Sequence, residues 1–217
     1  KMTPERFQKI KDILNKRQPD LTVVLDNVHK PHNLAAIIRS CDAVGISDIY
    51  GISSNEQKVG INLKSASGSN HWVNLHIHHS VPNVISELKQ SGFSIYAANG
   101  SAKAIDYRKV DYTKPSVIVL GAELDGILPE TLYAVDEEIK IPMQGMVESL
   151  NVSVANAVIL FEAQRQRLQA GLYEKCRLDK NTVEKLLFEF SYPEAAKVYQ
   201  SKGEPYPELD TEGQIIF

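Results

Sequence analysis

Apolar residues recur along this chain in two rhythms, and the change of rhythm outlines the fold. Over residues 4–17 they stand at Phe7, Ile10, Ile13 and Leu14, the spacing of one helical face. Pro4 suits the first turn of that helix and Thr3 its N-cap. Arg17-Gln18-Pro19-Asp20 breaks the pattern. Short apolar runs then alternate with helical stretches. Residues 21–25, 48–52, 72–77, 93–97, 117–120 and 138–141 predict six strands. Residues 33–44, 82–90 and 151–169 predict helices, the last two closed by Gly92 and Gly171. Such alternation implies an α/β fold, a mostly parallel sheet with helices on both faces.

Ligands of such sheets sit beyond the carboxyl ends of the strands. Three turns follow strands here: Asn99-Gly100, Gly121-Ala122-Glu123 and Pro142-Met143-Gln144-Gly145. From Leu172 the composition changes. Residues 182–189 and 193–201 predict two short helices, followed by a Pro- and Gly-bearing tail from Lys202 to Pro207. This part holds too little apolar material for a core of its own, so it is expected to pack on the main domain or on a partner. The chain divides into an N-terminal helical extension (1–19), a central domain (20–170) and a C-terminal helical extension (171–217).

Composition changes this picture little. At 217 residues, 43% hydrophobic and 24% charged, the chain has ordinary globular usage and can bury one sizeable core. Cys41 and Cys176 are far apart and in no metal-ligand pattern, which favours a reducing compartment. The opening residues lack the apolar stretch of a secretory leader, and no run approaches the roughly 20 apolar residues of a membrane span. A cytoplasmic protein with no membrane partner is expected.

The net charge of −3 is unlike that of most nucleic-acid binders. Distribution matters more than the sum. The first seventeen residues hold Lys1, Arg6, Lys9, Lys11, Lys16 and Arg17 against Glu5 and Asp12.

Three segments carry candidate chemistry, each beside a plainer reading. In the first, Asn33 leads into a helix that carries Arg39. An arginine near a helix N-terminus suits phosphate, but a capping asparagine and a surface arginine would look the same. The second, Leu120 to Gly126, has glycines that let backbone approach a ligand and a carboxylate at Glu123, or is an ordinary turn. The third joins Ile141-Pro142-Met143 to Ser149 and Asn151 at a helix start. Its backbone groups suit an adenine edge; its polar side chains also suit N-capping. His76 and His78 share a strand face, with His79 beside them, but no acidic or cysteine partner is near in sequence, so no metal site is expected. There is no G-x-G-x-x-G, P-loop or G-x-S-x-G, which disfavours dehydrogenases, P-loop NTPases and α/β-hydrolases.

Taken in order, residues 33–39, 120–126 and 141–155 resemble the three motifs of the SPOUT superfamily of RNA 2′-O-methyltransferases, in its TrmH (SpoU) branch. The likeness continues in Arg17-Gln18-Pro19-Asp20-Leu21, His29-Lys30-Pro31-His32-Asn33, Gly68-Ser69-Asn70, Glu162-Ala163-Gln164-Arg165-Gln166-Arg167 and Tyr192-Pro193. These resemble the subgroup that acts on guanosine 18 of tRNA, over nearly the whole chain.

The resemblance implies a deep C-terminal trefoil knot, an exception to the rule against knots. It implies a homodimer with the active site near the interface, and S-adenosylmethionine as methyl donor, leaving S-adenosylhomocysteine, with no metal and no DNA. By position, backbone groups at Ala98, Gly121, Ile141, Met143 and Leu150 would hold the donor. Family members often have threonine where Ala98 stands. Arg39 would be central to catalysis, surrounded by Asn33, Glu123, Ser149 and Asn151. tRNA would lie on Arg6, Lys9, Lys11, Arg17, Lys30 and Arg165. Two other readings share the fold: a ribosomal RNA 2′-O-methyltransferase and a non-catalytic RNA-binding module.

Overall fold

A computed structural model describes residues 2–52, 72–122 and 126–216. They form two compact units, one of Pro19–Gly171 and one that joins the first eighteen residues to those from Leu172 onward.

The larger unit is built on seven parallel strands: β1 (Leu21–Asp26), β2 (Asp48–Ile52), β3 (Asn74–His78), β4 (Ser94–Ala98), β5 (Ile105–Asp106), β6 (Ser116–Gly121) and β7 (Glu137–Lys140). Their order in the sheet is β3-β2-β1-β6-β4-β7-β5. Burial on both faces explains why the central strands are nearly all apolar. Val23, Leu25, Ile118 and Leu120 enter one core with Leu34, Ile37, Ile38 and Cys41 of α2 (Pro31–Ala43) and Ile159, Leu160 and Ala163 of α5 (Val152–Gln169). The alternate residues Val24, Val117 and Val119 enter a second core with Val81, Val84, Ile85 and Leu88 of α3 (Val81–Gln90). A period of two along each strand thus feeds two helical layers.

The first crossovers carry the chain outward from β1 to β3. It then returns to lay down β4, leaving one strand's width beside β1. β6 fills that place, pairing with β1 from Leu21↔Ser116 to Asp26↔Gly121 and with β4 on its other side. The reversal of strand order at β6 opens a crevice at the carboxyl ends, where sheets of this kind bind ligands.

Four elements differ from the sequence expectation. α2 begins at Pro31 with Lys30 as N-cap, because proline at the first helical position is preorganised. Asn33 is therefore inside the first turn and does not cap it. α1 (Pro4–Leu14) stops three residues early, and two short elements were not foreseen, β5 and α4 (Pro129–Ala134). α4 is a short helix of six residues held from outside itself. Buried Asp26 accepts hydrogen bonds from Leu128 N at 3.0 Å and Thr131 Oγ1 at 2.8 Å.

The far end of α5 is laced to the sheet. Arg167 is fully buried and donates to Asp20 Oδ1 at 2.6 Å and to the carbonyls of Tyr112, Asp20 and Lys114 at 2.8, 3.1 and 3.1 Å. Gln166 reaches the same stretch, accepting from Tyr112 N and donating to Val110 O.

In the smaller unit, Thr3 caps α1 through Arg6 N, as its sequence suggested. Phe7, Ile10 and Leu14 are its buried stripe. α6 (Lys180–Ser191), capped by Asp179, and α7 (Pro193–Lys202) supply Leu186, Phe188, Phe190 and Ala196. The tail folds back. Tyr206 stacks on Phe188 with ring centroids 4.6 Å apart, and Gly213 lies against the Phe7 ring while its carbonyl accepts from Tyr192 Oη at 2.7 Å. The two chain ends, each too poor in apolar residues alone, share this core.

Candidate active site

The crevice at the ends of β4, β6 and β7 is a cavity of about 440 Å³, within the range usual for small-molecule sites. Three strand ends wall it: Ala98 to Gly100, Leu120 to Ala122, and Ile139 to Ile141. The segment that leads into α5, Glu148 to Val152, closes a further side. Leu120, Ile139 and Ile159 are apolar lining, while Asn99, Ser149 and Asn151 supply polar atoms.

Backbone packing is tight where β6 ends. Ala122 and Gly126 form an antiparallel bridge with N–H···O distances of 3.0 and 2.9 Å. Gly126 takes a left-handed φ of 67°. A Cβ on Gly121 would overlap the Gly126 carbonyl and Ile127 N, so only glycine fits at that strand end. Asp26, by holding Leu128 and Thr131, fixes where the chain goes after this turn.

The five positions expected to hold a donor, Ala98, Gly121, Ile141, Met143 and Leu150, all line the cavity. So do Ser149 and Asn151. Asn151 has the capping role considered from sequence and a further bond besides. It N-caps α5, accepting from Ser153 N at 2.8 Å, and its Nδ2 donates to Asn33 Oδ1 at 3.2 Å. Asn33 is thus joined to the site through Asn151, from a buried place in α2.

Arg39 does not line the cavity. It stands exposed on α2, with no hydrogen-bond or ion-pair partner among the described residues. Glu123 and the Gly68-Ser69-Asn70 segment lie outside the described residues.

The basic residues separate on inspection. In the smaller unit Arg6 and Lys9 are exposed on α1, and Lys11 is half-buried with its ammonium 4.2 Å from the centre of the Phe7 ring. Arg17 is 1% exposed, its guanidinium 5.9 Å from the Phe190 ring. It belongs to the core of its unit, and its inclusion in an RNA-facing surface is corrected by that burial. In the larger unit Lys30 is exposed, and Arg165 is held by Glu162 through Nε at 2.8 Å and Nη2 at 2.7 Å.

Sequence reasoning missed several residues that the fold brings together, at the site and away from it. Asp26 holds Thr131 across 105 positions and Arg167 holds Asp20 across 147, so no local pattern could mark them. Asn156 is fully buried in α5 beside Cys41 of α2, whose thiol is pushed up by burial. His76 meets Asp48 of the neighbouring strand at 2.8 Å, an acidic partner that sequence separation concealed. Among the described residues no group of three or more His, Cys, Asp or Glu side chains is placed to hold a metal ion, and no helix is long and apolar enough to cross a membrane.

Comparison with known proteins places the chain in a family. Residues 20–161 match the SpoU rRNA Methylase family, and residues 165–217 match the C-terminal SpoU rRNA methylase model. A tRNA (guanosine(18)-2′-O)-methyltransferase of Escherichia coli (strain K12) is 45% identical over 216 residues, 99% of this chain and 94% of that one. The crystal structure of the Aquifex aeolicus TrmH/SpoU tRNA modifying enzyme superposes with a TM-score of 0.81 at 42% identity, covering 87% of this chain and 96% of the other. An AdoMet-bound rRNA methyltransferase from Sinorhizobium meliloti superposes with a TM-score of 0.60 at 30% identity, covering 72% of this chain and 59% of its own. With a family model over most of its length and a relative matched almost end to end, the chain belongs to the SpoU methylase family.

Proposed function

We propose that the protein transfers a methyl group from S-adenosylmethionine to the ribose 2′-oxygen of guanosine 18 in tRNA, in the cytoplasm. The observation that carries this is the extent of the likeness to the Escherichia coli enzyme, which includes both helical extensions as well as the central domain. The family description, and the relative from Sinorhizobium meliloti, favour ribosomal RNA as a second substrate class. Methyl transfer to tRNA and ribosomal RNA transcripts, compared side by side, separates the two readings. Label in ribosomal RNA alone would move the substrate and leave the chemistry.

The cavity fits the donor. A methyl donor of this kind brings a flat purine, a hydroxylated ribose and a charged amino-acid end. The apolar lining, the strand-end walls and the polar atoms of Asn99, Ser149 and Asn151 match those three parts. When bound, the donor supplies a methyl group on a sulfonium, a good leaving group. What remains for the chain is to position the reactants and to handle charge. Ala98, Gly121, Ile141, Met143 and Leu150 hold the donor through main chain. Asn33, Ser149 and Asn151 orient the ribose with Glu123, and Arg39 meets a phosphate and the charge that grows on the 2′-oxygen. The knot of related folds is part of the same proposal, since the segments that line the cavity are the ones such a knot would thread.

Gly121→Ala tests the main-chain wall. The added methyl group must displace the Gly126 turn. The expected result is a loss of S-adenosylhomocysteine affinity of about tenfold or more with about 1–3 kcal/mol of destabilisation. Calorimetric binding at the wild-type level would remove Gly121 from the donor site.

A second copy of the chain is the partner inferred from the family. α5 offers it a face, because Val154, Phe161 and Leu168 recur every seven residues and are 47%, 48% and 56% exposed. A monomer in sedimentation equilibrium would contradict that assembly.

For tRNA, the exposed cations Arg6, Lys9, Lys30 and Arg165, with Lys11, are assigned to phosphate contact. Each phosphate neutralised releases counterions, so five contacts give a log–log salt slope of about −4. A slope near zero in filter binding from low to moderate salt would contradict the assignment.

A further inference from the structure

Glu138 is a carboxylate with only 4% of its side chain exposed, one strand position before the cavity wall at Ile139. A buried charge is costly unless it is paired. Two side chains from one short segment satisfy it. Asn99 Nδ2 donates to Glu138 Oε2 at 2.6 Å, and Lys103 Nζ lies 2.7 Å from Oε1. Burial acts to raise this carboxyl, yet Lys103, Ser101 and Asn99 hold it below the ordinary glutamate range. It is an ionised acceptor with no proton to give.

That has a consequence for Asn99, which lines the cavity immediately after β4. A carboxamide has a donor end and an acceptor end, and an ionised carboxylate accepts only. Glu138 therefore selects one of the two amide orientations, with the NH₂ group toward itself. The Asn99 carbonyl oxygen is left without a partner among the described residues. The backbone fixes where this happens, since Asn99 N donates to Ile139 O at 3.0 Å.

We propose that Glu138 is a positioning residue of the donor site, clamping the Asn99–Lys103 segment so that the Asn99 carbonyl oxygen accepts a hydrogen bond from the methyl donor. The inference rests on the cavity being the donor site. The group recognised is an O–H or N–H donor, carried by both the ribose and the amino-acid end of the ligand.

The test is isothermal calorimetry with S-adenosylhomocysteine and with methylthioadenosine, which keeps the ribose and lacks the amino-acid end. Asn99→Asp sets two carboxylates against each other, and its S-adenosylhomocysteine Kd is expected to rise about tenfold or more. Glu138→Gln alone removes the selection and is expected to weaken binding by a few-fold. In steady-state kinetics both changes should appear in the KM for donor rather than in kcat. The exchanged pair, Asn99→Asp with Glu138→Gln, restores a donor–acceptor contact and still presents a carboxylate oxygen to the cavity. Its affinity should return toward that of the wild type, which a merely structural role would not require.

If methylthioadenosine loses affinity in Asn99→Asp as S-adenosylhomocysteine does, the ribose is the group recognised; if it does not, the amino-acid end is. Equal affinities in the wild type and Asn99→Asp, or no recovery in a folded exchanged pair, would overturn the clamp alone. A wild-type protein that binds neither ligand would overturn the donor-site reading as well.

Discussion

Arg39→Ala lowers turnover by about 10²–10³-fold and leaves S-adenosylhomocysteine affinity within about twofold of the wild type. Both halves of this expectation come from where Arg39 stands. It is absent from the lining of the cavity proposed for the donor and it is exposed. Along α2 it lies six residues, about 9 Å, beyond Asn33, the α2 residue joined to the site through Asn151. A side chain so placed cannot hold the donor, so its loss should not cost donor binding. It can meet RNA, because a guanidinium fork matches a phosphate and offers positive charge where an alkoxide develops.

A guanidinium acts as a base only after giving its proton away. The electrostatic role is therefore the simpler account. The pH–rate profile of Arg39→Lys distinguishes the two: an unchanged shape at lower rate supports charge stabilisation, and a displaced basic limb supports proton transfer. Loss of donor binding in Arg39→Ala would contradict the placement of Arg39 outside the donor site.

Arg167→Ala is expected to cost about 3–5 kcal/mol of stability, as breaking a buried ion pair does. Arg167 is fully buried, and Asp20 beside it is 18% exposed. Removing the guanidinium takes its hydrogen bond from the Asp20 carboxylate and a donor from three carbonyls at once. These carbonyls belong to the entrances of β1 and β6, so the loss loosens the end of α5 opposite Asn151. For a chain of this size the change corresponds to a fall of about 10 °C in Tm. Arg167→Lys should be intermediate, because one ammonium cannot serve four acceptors in a plane. A melting temperature within about 2 °C of the wild type for Arg167→Ala would show that the network contributes little beyond packing.

Much of the fold was legible because strand and helix rhythms are local. β2 spans the residues its pattern predicts, and the other five predicted strands begin and end within two residues of expectation. What local rhythm could not carry was short or held from a distance. α4 has six residues and depends on Asp26, far earlier in the chain. The two helical extensions were read separately, since nothing in the pattern of Phe7, Ile10 and Leu14 says that their core is completed near Gly213. The order of strands, and so the place of β6 between β1 and β4, is likewise a property of pairing and not of any one segment.

The site followed the same division. The positions at strand ends were legible as neighbours of a cavity, because a glycine after an apolar strand is visible and the family motifs fall there. Ala98, Gly121, Ile141, Met143 and Leu150 line one cavity. Side-chain roles were harder to read. Asn33 could be a cap or a site residue, and the start of α2 at Pro31 puts it inside the first turn, which decides against capping. Arg17 looked like surface charge because sequence shows a charge but not the Phe190 ring that covers it. Glu138 and Asn99 drew no attention as a pair, since 39 residues separate them and only the pairing of β4 with β7 brings them together.

The central claim is ribose methylation of tRNA, and the most direct test is to map the product. Unmodified tRNA transcript would be incubated with the full chain and S-adenosylmethionine labelled in its methyl group, then digested and the labelled nucleotide located. Label on the 2′-oxygen of guanosine 18 is the expected result. Label on a base, or on a ribose elsewhere with guanosine 18 untouched, would contradict it.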